Sequence, residues 1–281
     1  MVEIRQVGTI DPYIAAALAP DGSTLYVNHD GSEVIAYSYP DLVAGSTVIT
    51  PGTIGGDIGS IACDAAEVLY WWDHTPGGGI ALYKSTDPVS FFSTVEEPFA
   101  IGLCWSPYDG LLYGFGMVDV VEGEVLSSYD PSIPGGDRQV VDTPVGSTSG
   151  FDWYYGTVPT PNGSIWYVRP QTAAAFRVYL YDPTAVNTGS RVAVVESTVV
   201  PWNDNNVYWY GDPSGAAPAA GYFYDFEQSR DVESQFDQIS PGQRAAAYNP
   251  SFTHVCFERG ATGEVWEFVG RKWWVGSAGW A

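Results

Sequence analysis

The sequence predicts an all-β chain, a six-bladed β-propeller of four-stranded antiparallel blades, and three observations carry that expectation. A short strand centred on tyrosine or cysteine returns at Tyr26, Tyr70, Tyr113, Tyr167, Tyr210 and Cys256, in steps of 44, 43, 54, 43 and 46 residues. A period of about 45 is what four short strands and their turns require. A second marker, a strand end followed by a turn containing aspartate, recurs at matching phase: YSYPD (37–41), YKSTDP (83–88), SSYDP (127–131), YLYDP (179–183) and YFYDF (222–226). The aspartate caps such a turn through its carboxylate, and a following proline ring drives the residue before it away from helix. Finally, EVIAYSY and RVAVVES alternate with period two, while no stretch shows 3.6-residue periodicity, so helix content is expected to be very low.

Taken in order, the expected blades are 14–50, 53–98, 99–144, 146–198, 199–239 and 240–281, in one domain spanning 1–281. The first, PDGSTLYVNHDGSEVIAYSYPDL (20–42), reads as turn, strand Thr24 to Asn28, turn, strand Glu33 to Tyr39, and turn. The second, CDAAEVLYWW from Cys63, lacks the Pro-Gly pair but keeps the strand. SPYDGLLYGF from Ser106 opens the third and TPNGSIWYV from Thr160 the fourth, whose 54-residue step hides an insertion near Gly150 to Pro159. The sixth contains NPSFTHVCF from Asn249, lacks the second marker and ends on VWEFVGRKWW (265–274). Residues 2–7 (VEIRQV) stand where other blades carry their outer strand, as RQVV does at 138–141. This N-terminal strand is therefore expected to pair onto the last blade and close the ring, because an open ring leaves unpaired strand edges. The run RKWWVGSAGW competes for the same place.

The PDG turn leading into an LYV strand at 20–27 resembles the YVTN type of β-propeller repeat, closely in this unit and loosely elsewhere. The resemblance implies the fold and says little about activity.

Composition bounds the function. Hydrophobic residues are 45% and charged residues 16% of 281, so a large core can form and the chain does not read as disordered. Eleven Lys and Arg against thirty-three Asp and Glu give a net charge of −22. Size scaling gives roughly 12,000 Å² of surface, or about one net negative charge per ~500 Å². Nucleic acid and anionic lipid would be repelled, which leaves neutral or basic partners and divalent cations. Cys63, Cys104 and Cys256 sit in apolar strand-like runs without CxxC spacing, and read as buried thiols outside any disulfide framework. MVEIRQVGTIDPY has no apolar signal region and no window reaches a membrane span, so the expectation is synthesis in the cytoplasm without membrane insertion.

In a propeller, the turns from second to third strand and the connections between blades emerge on one face, where variable loops carry function. The connections carry Asp11, Asp57, Glu97, Asp152 and Asp237, whose convergence would suit a hard cation such as Ca²⁺. His29-Asp30 and Asp73-His74 occupy corresponding turns of neighbouring blades, and two imidazoles beside carboxylates fit a transition metal or an acid–base pair. The bland alternatives are solvated acidic loops and solvated histidines. No GxSxG, HExxH, P-loop or dinucleotide fingerprint is present, so no nucleophile with a paired base can be named. Aromatics are 15% of the chain, and most are expected to fill the gaps between twisted blades. Trp72, Trp153, Trp202 and Trp274 fall next to turns and are the expected exposed contacts for a sugar ring or a protein hot spot.

Three functional readings follow. The first is a non-enzymatic binding or assembly module whose character resembles virion or tail-associated propellers of bacteriophages, displayed on a virion or extracellular surface by assembly. The second resembles the calcium-dependent lactonase or hydrolase propellers, with the connection carboxylates holding the ion. The third is a secreted carbohydrate-binding adhesin. The partner is accordingly a protein of the assembly or a cell-surface glycan.

Overall fold

The computed structural model of the chain describes the backbone of residues 3–13, 15–29, 33–49, 57–75, 79–86, 93–95, 99–119, 123–133, 139–142, 157–159, 165–172, 175–181, 193–195, 198–201, 206–210, 221–225, 230–233, 246–248, 255–259 and 263–269. Side chains are described chiefly in the first three sheets. Among these residues every regular element is a strand.

The chain opens on β1 (Glu3–Thr9). Sheet one follows as β2 (Ala15–Leu18), β3 (Thr24–Asn28), β4 (Val34–Ser38) and β5 (Ala44–Ile49). Sheet two holds β6 (Asp57–Cys63), β7 (Leu69–Thr75), β8 (Gly79–Lys84) and β9 (Ser93–Val95). Sheet three holds β10 (Phe99–Trp105), β11 (Leu112–Asp119), β12 (Gly123–Tyr129) and β13 (Gln139–Asp142). Sheet four holds β14 (Thr157–Pro159), β15 (Ile165–Thr172), β16 (Ala175–Tyr181) and β17 (Ala193–Val195). Sheet five holds β18 (Thr198–Pro201), β19 (Asn206–Tyr210), β20 (Gly221–Asp225) and β21 (Arg230–Glu233). The last sheet takes β22 (Ala246–Tyr248), β23 (Val255–Arg259) and β24 (Glu264–Val269), and β1 pairs antiparallel with β24 from Glu3 opposite Val269 to Thr9 opposite Glu264. Each sheet so described is a four-stranded antiparallel meander, the last completed by β1.

Alternation along each second strand explains how the sheets stack. In β3, Leu25 and Val27 enter a cluster with Val265 of the last sheet, while Tyr26 enters one with Trp71 of sheet two. In β7, Leu69 and Trp71 face back toward sheet one, and Tyr70 and Trp72 face forward to Leu112 and Tyr129 of sheet three. In β11, Leu112 faces back and Tyr113 faces forward to Ile165 of sheet four. Both faces of a central strand are thus covered, which is why these strands read as nearly continuous apolar runs. Trp71 stacks on Tyr83 at 5.6 Å between ring centroids, and Trp72 meets Tyr129 edge to face at 5.3 Å.

The ladder register corrects the repeat phase. Leu25, Leu69 and Leu112 pair with Leu18, Cys63 and Trp105, and the matching pair in sheet four is Ile165 with Pro159. Ile165 also faces back to sheet three, as those leucines face back to their preceding sheets. The residue equivalent to Tyr26 is therefore Trp166 rather than Tyr167, and by the same register Tyr208 rather than Tyr210 in sheet five. Consecutive aromatics in WYV and VYWY hide a slip of one or two positions, because each is an equally good strand former.

Cys63 and Cys104 are buried thiols. Burial first, and then the neighbouring Asp64 and Glu67 carboxylates, push the Cys63 thiol up to about 12. The folded state holds this proton more tightly than the unfolded chain, so its stabilisation is complete below pH about 9 and is lost as pH rises from about 9 toward 12. Tyr26, Tyr70 and Tyr113 shift upward for the same leading reason, burial, reinforced by hydrogen bonds to carboxylates. We therefore expect stability measured by urea melts to fall steadily above pH about 9, and Cys63 to stay unreactive toward a thiol reagent at pH about 8 until the chain unfolds. Rapid labelling of Cys63 in the folded protein at that pH would contradict the burial.

Candidate binding face

Two contacts establish that turns between second and third strands lie beside a connection between sheets. The Ile10 amide donates to the Gly263 carbonyl at 2.9 Å, joining the β1 to β2 connection to the β23 to β24 turn. His29, at the end of β3, places Nδ1 3.0 Å from the Pro12 carbonyl oxygen on that connection. The expectation that these segments share one face holds here.

His29 is committed to this seam. Its Nε2 lies 2.8 Å from the Tyr37 hydroxyl, and the two rings meet edge to face at 5.7 Å. With Nδ1–H donating to Pro12 and Nε2 accepting from Tyr37, both nitrogens are occupied and neither is left for a metal or a substrate proton. Burial, then the Asp11 and Glu33 carboxylates, raise the Tyr37 hydroxyl pKa, which keeps that hydroxyl protonated and able to donate.

Trp72 does not lie beside a turn. Sequence places it next to an expected loop at Asp73-His74, but β7 runs on to Thr75 and pairs with β8 throughout, so Trp72 sits inside the strand at 0% exposure. It is a packing residue between sheets two and three, not the exposed contact the sequence led us to expect. The same extension places His74 in the ladder, opposite Asp57 on β6. That register brings two candidate ligands to facing positions. Asp11 is exposed on the connection. Trp153, Trp202, Trp274, Glu97, Asp152 and Asp237 lie outside the described residues. Among the described residues no group of three or more His, Cys, Asp or Glu side chains is arranged to hold a metal ion.

At the opposite end of the strands, a set of tyrosine–carboxylate bonds went unread in the sequence. Asp64 accepts the Ala66 and Val68 amides through Oδ1 and the Tyr70 hydroxyl through Oδ2, at 2.8, 2.9 and 2.9 Å. Asp109 does the same for the Leu111 amide at 3.1 Å and the Tyr113 hydroxyl at 2.6 Å. In sheet one the tyrosine reaches across instead, Tyr26 donating to Glu67 of sheet two. Glu67 adopts φ +63° where the equivalent turns use Gly22 and Gly110 at +73° and +76°. A fourth bond, from Tyr39 to the buried Glu267, ties sheet one to the last sheet. The legible signal was an aspartate in the first turn of each of sheets one to three, Asp21, Asp64 and Asp109, ahead of the repeat tyrosine. At the outer turn of sheet three, Asp130 forms the expected cap, accepting the Ser132 hydroxyl at 2.6 Å and amide at 2.9 Å, and these bonds hold its carboxyl below the usual range.

Exposed large apolar side chains among the described residues occur at outer strands and turns: Val43, Val48, Tyr108, Ile133 and Val140. Val43 and Val48 flank or lie in β5, Ile133 lies in the turn after β12, and Val140 lies in β13.

The chain matches no family model and no curated protein. Solved structures resemble it throughout its length. A structural genomics protein of unknown function from Bacteroides thetaiotaomicron aligns over 96% of this chain and 76% of its own, with TM-score 0.63 and 11% identity. The WD40 repeats of RRP9 align over 95% of this chain and 99% of theirs, with TM-score 0.57 and 10% identity. A β-propeller domain from Myceliophteria thermophila aligns over 95% and 99%, with TM-score 0.50 and 11% identity. At such identities the likeness establishes fold, and the fold is that of the β-propellers.

Proposed function

We propose that this chain is a non-enzymatic binding or assembly module built on six blades closed into one ring. Closure is supported by β1 pairing with β24 and by the first strands lying beside one another in order, β2 by β6, β6 by β10, β10 by β14, β14 by β18, β18 by β22 and β22 by β2. The binding reading rests on one observation. The described side chains best suited to chemistry are bound into the scaffold, His29 by both nitrogens, while branched apolar side chains and Tyr108 stand exposed on turns and outer strands. A rigid scaffold of this kind serves contact with another macromolecule, and the net charge of −22 favours partner surfaces that are neutral or basic.

The setting we favour is a particle or surface assembly such as a bacteriophage virion, supported by the acidic, glycine-rich and aromatic-rich composition. The test is to fractionate the producing cells and any particles they release, and to follow the chain by mass spectrometry. Co-purification with a particle at fixed stoichiometry is the expected result. Recovery only as a free chain that binds calcium and hydrolyses lactones would replace this reading with the enzymatic one.

A further inference from the structure

The outer strand of a propeller blade has one edge with no strand beside it, and the amides and carbonyls of such an edge can take up an extended chain. β5 ends the order β2-β3-β4-β5, and residues 43–48 are all exposed, Val43 by 64% and Val48 by 41%. Carboxylates stand along this strip. Asp41 is exposed two positions before Val43, and Glu33 accepts a hydrogen bond from the Thr47 hydroxyl at 3.3 Å. No cation close in sequence offsets them: between Arg5 and Lys84 the chain has nine Asp or Glu and no Lys or Arg. β13 also exposes a valine, Val140, but Arg138 stands immediately before that strand.

Charge decides what this edge accepts. Another acidic surface is repelled by Asp41 and Glu33, and a purely apolar segment would take water from those carboxylates without replacing it. A segment that alternates Lys or Arg with apolar residues meets both features. Its cations pair with the carboxylates, its apolar side chains cover Val43 and Val48, and its backbone joins the open edge. We propose that β5 is the docking edge for such a segment of a partner protein, added as a fifth strand of sheet one. The six residues of β5, at about 3.3 Å each, span about 20 Å. Two register shifts in the β4–β5 ladder bend the strand, so the fit is to a short segment and not to a long flat sheet.

The proposal rests on the chain being a binding module and names the partner chemistry of one surface. Its probe is a short capped peptide alternating lysine and valine, labelled with a fluorophore and titrated with the chain by anisotropy. Salt is set at about 0.1 M and about 1 M, where Debye lengths are about 10 and 3 Å. We expect saturable binding that weakens at the higher salt, and at least about tenfold weaker binding of the same peptide N-methylated at each backbone nitrogen, which keeps its charge but cannot donate to a strand edge. Val48→Lys, or Val43→Lys in its place, should weaken binding at least about tenfold by setting a cation in the strip, while Val140→Lys on sheet three should leave it unchanged. Matched melting temperatures would show that the variants fold. No binding, equal binding of the N-methylated peptide, or equal losses from Val48→Lys and Val140→Lys would each overturn the proposal. Co-purification with a particle that Val48→Lys leaves undiminished would overturn it too, while the reading as an assembly module stood.

Discussion

Gly263→Ala is expected to cost about 4 kcal/mol or more, a loss in the range reserved for steric conflict with fixed backbone. Gly263 has φ +74°, and a Cβ added there would lie 1.8 Å from the Ile10 carbonyl oxygen, 2.9 Å from its carbon and 3.0 Å from the Asp11 carbonyl carbon. None of these atoms ends a flexible side chain. Relief requires the connection to move, and moving it breaks the Ile10 to Gly263 hydrogen bond and loosens Ile10, Val7 and Val265 in the cluster beneath. Gly110→Ala is the internal control. It shares the left-handed backbone, with φ +76°, but a Cβ there meets nothing within 4 Å. Its cost should be the conformational term alone, about 1–2 kcal/mol. The difference in unfolding free energy between the two variants therefore isolates the contact where the chain's first connection crosses the last sheet. Equal losses would mean that this contact is not formed.

The repeat was legible because strand formation and turn chemistry are local. PDG at 20–22 announces a turn that needs a left-handed residue at Gly22, and Asp130 caps its turn from the sequence SYDP alone. What sequence could not reach was long-range pairing among equally suitable residues. The turn at 64–68 lacks glycine, yet forms because Asp64 accepts two of its amides and Glu67 takes the left-handed position, where its carboxylate meets Tyr26 of another sheet. Tyr39 and Glu267 are 228 residues apart, and nothing local marks the glutamate as buried. The contacts of His29 lay beyond the sequence on the same ground: beside Asp30 it looks like half of a ligand pair, while its partners in the structure, Pro12 and Tyr37, come from the connection and the next strand.

The tryptophans show where a strand end matters more than composition. Had β7 ended at Trp71, Trp72 would have projected from a turn. Because the strand continues to Thr75, alternation assigns Trp71 to the gap with sheet one and Trp72 to the gap with sheet three. Trp72→Ala should therefore cost about 3–5 kcal/mol, as for a core tryptophan, and lower the melting temperature by roughly 10 °C in a domain of this size. Trp72→Phe separates packing from polarity. The indole Nε1 of Trp72 is buried without a hydrogen-bond partner, so phenylalanine keeps a ring against Tyr129 while removing an unsatisfied donor worth about 1–3 kcal/mol. The expected order of stability is wild type close to Trp72→Phe, with Trp72→Ala far below both. A melting temperature unchanged by alanine, together with weakened attachment to a partner, would return Trp72 to the surface. An equal loss from phenylalanine and alanine would instead show that the indole nitrogen has a partner inside the fold.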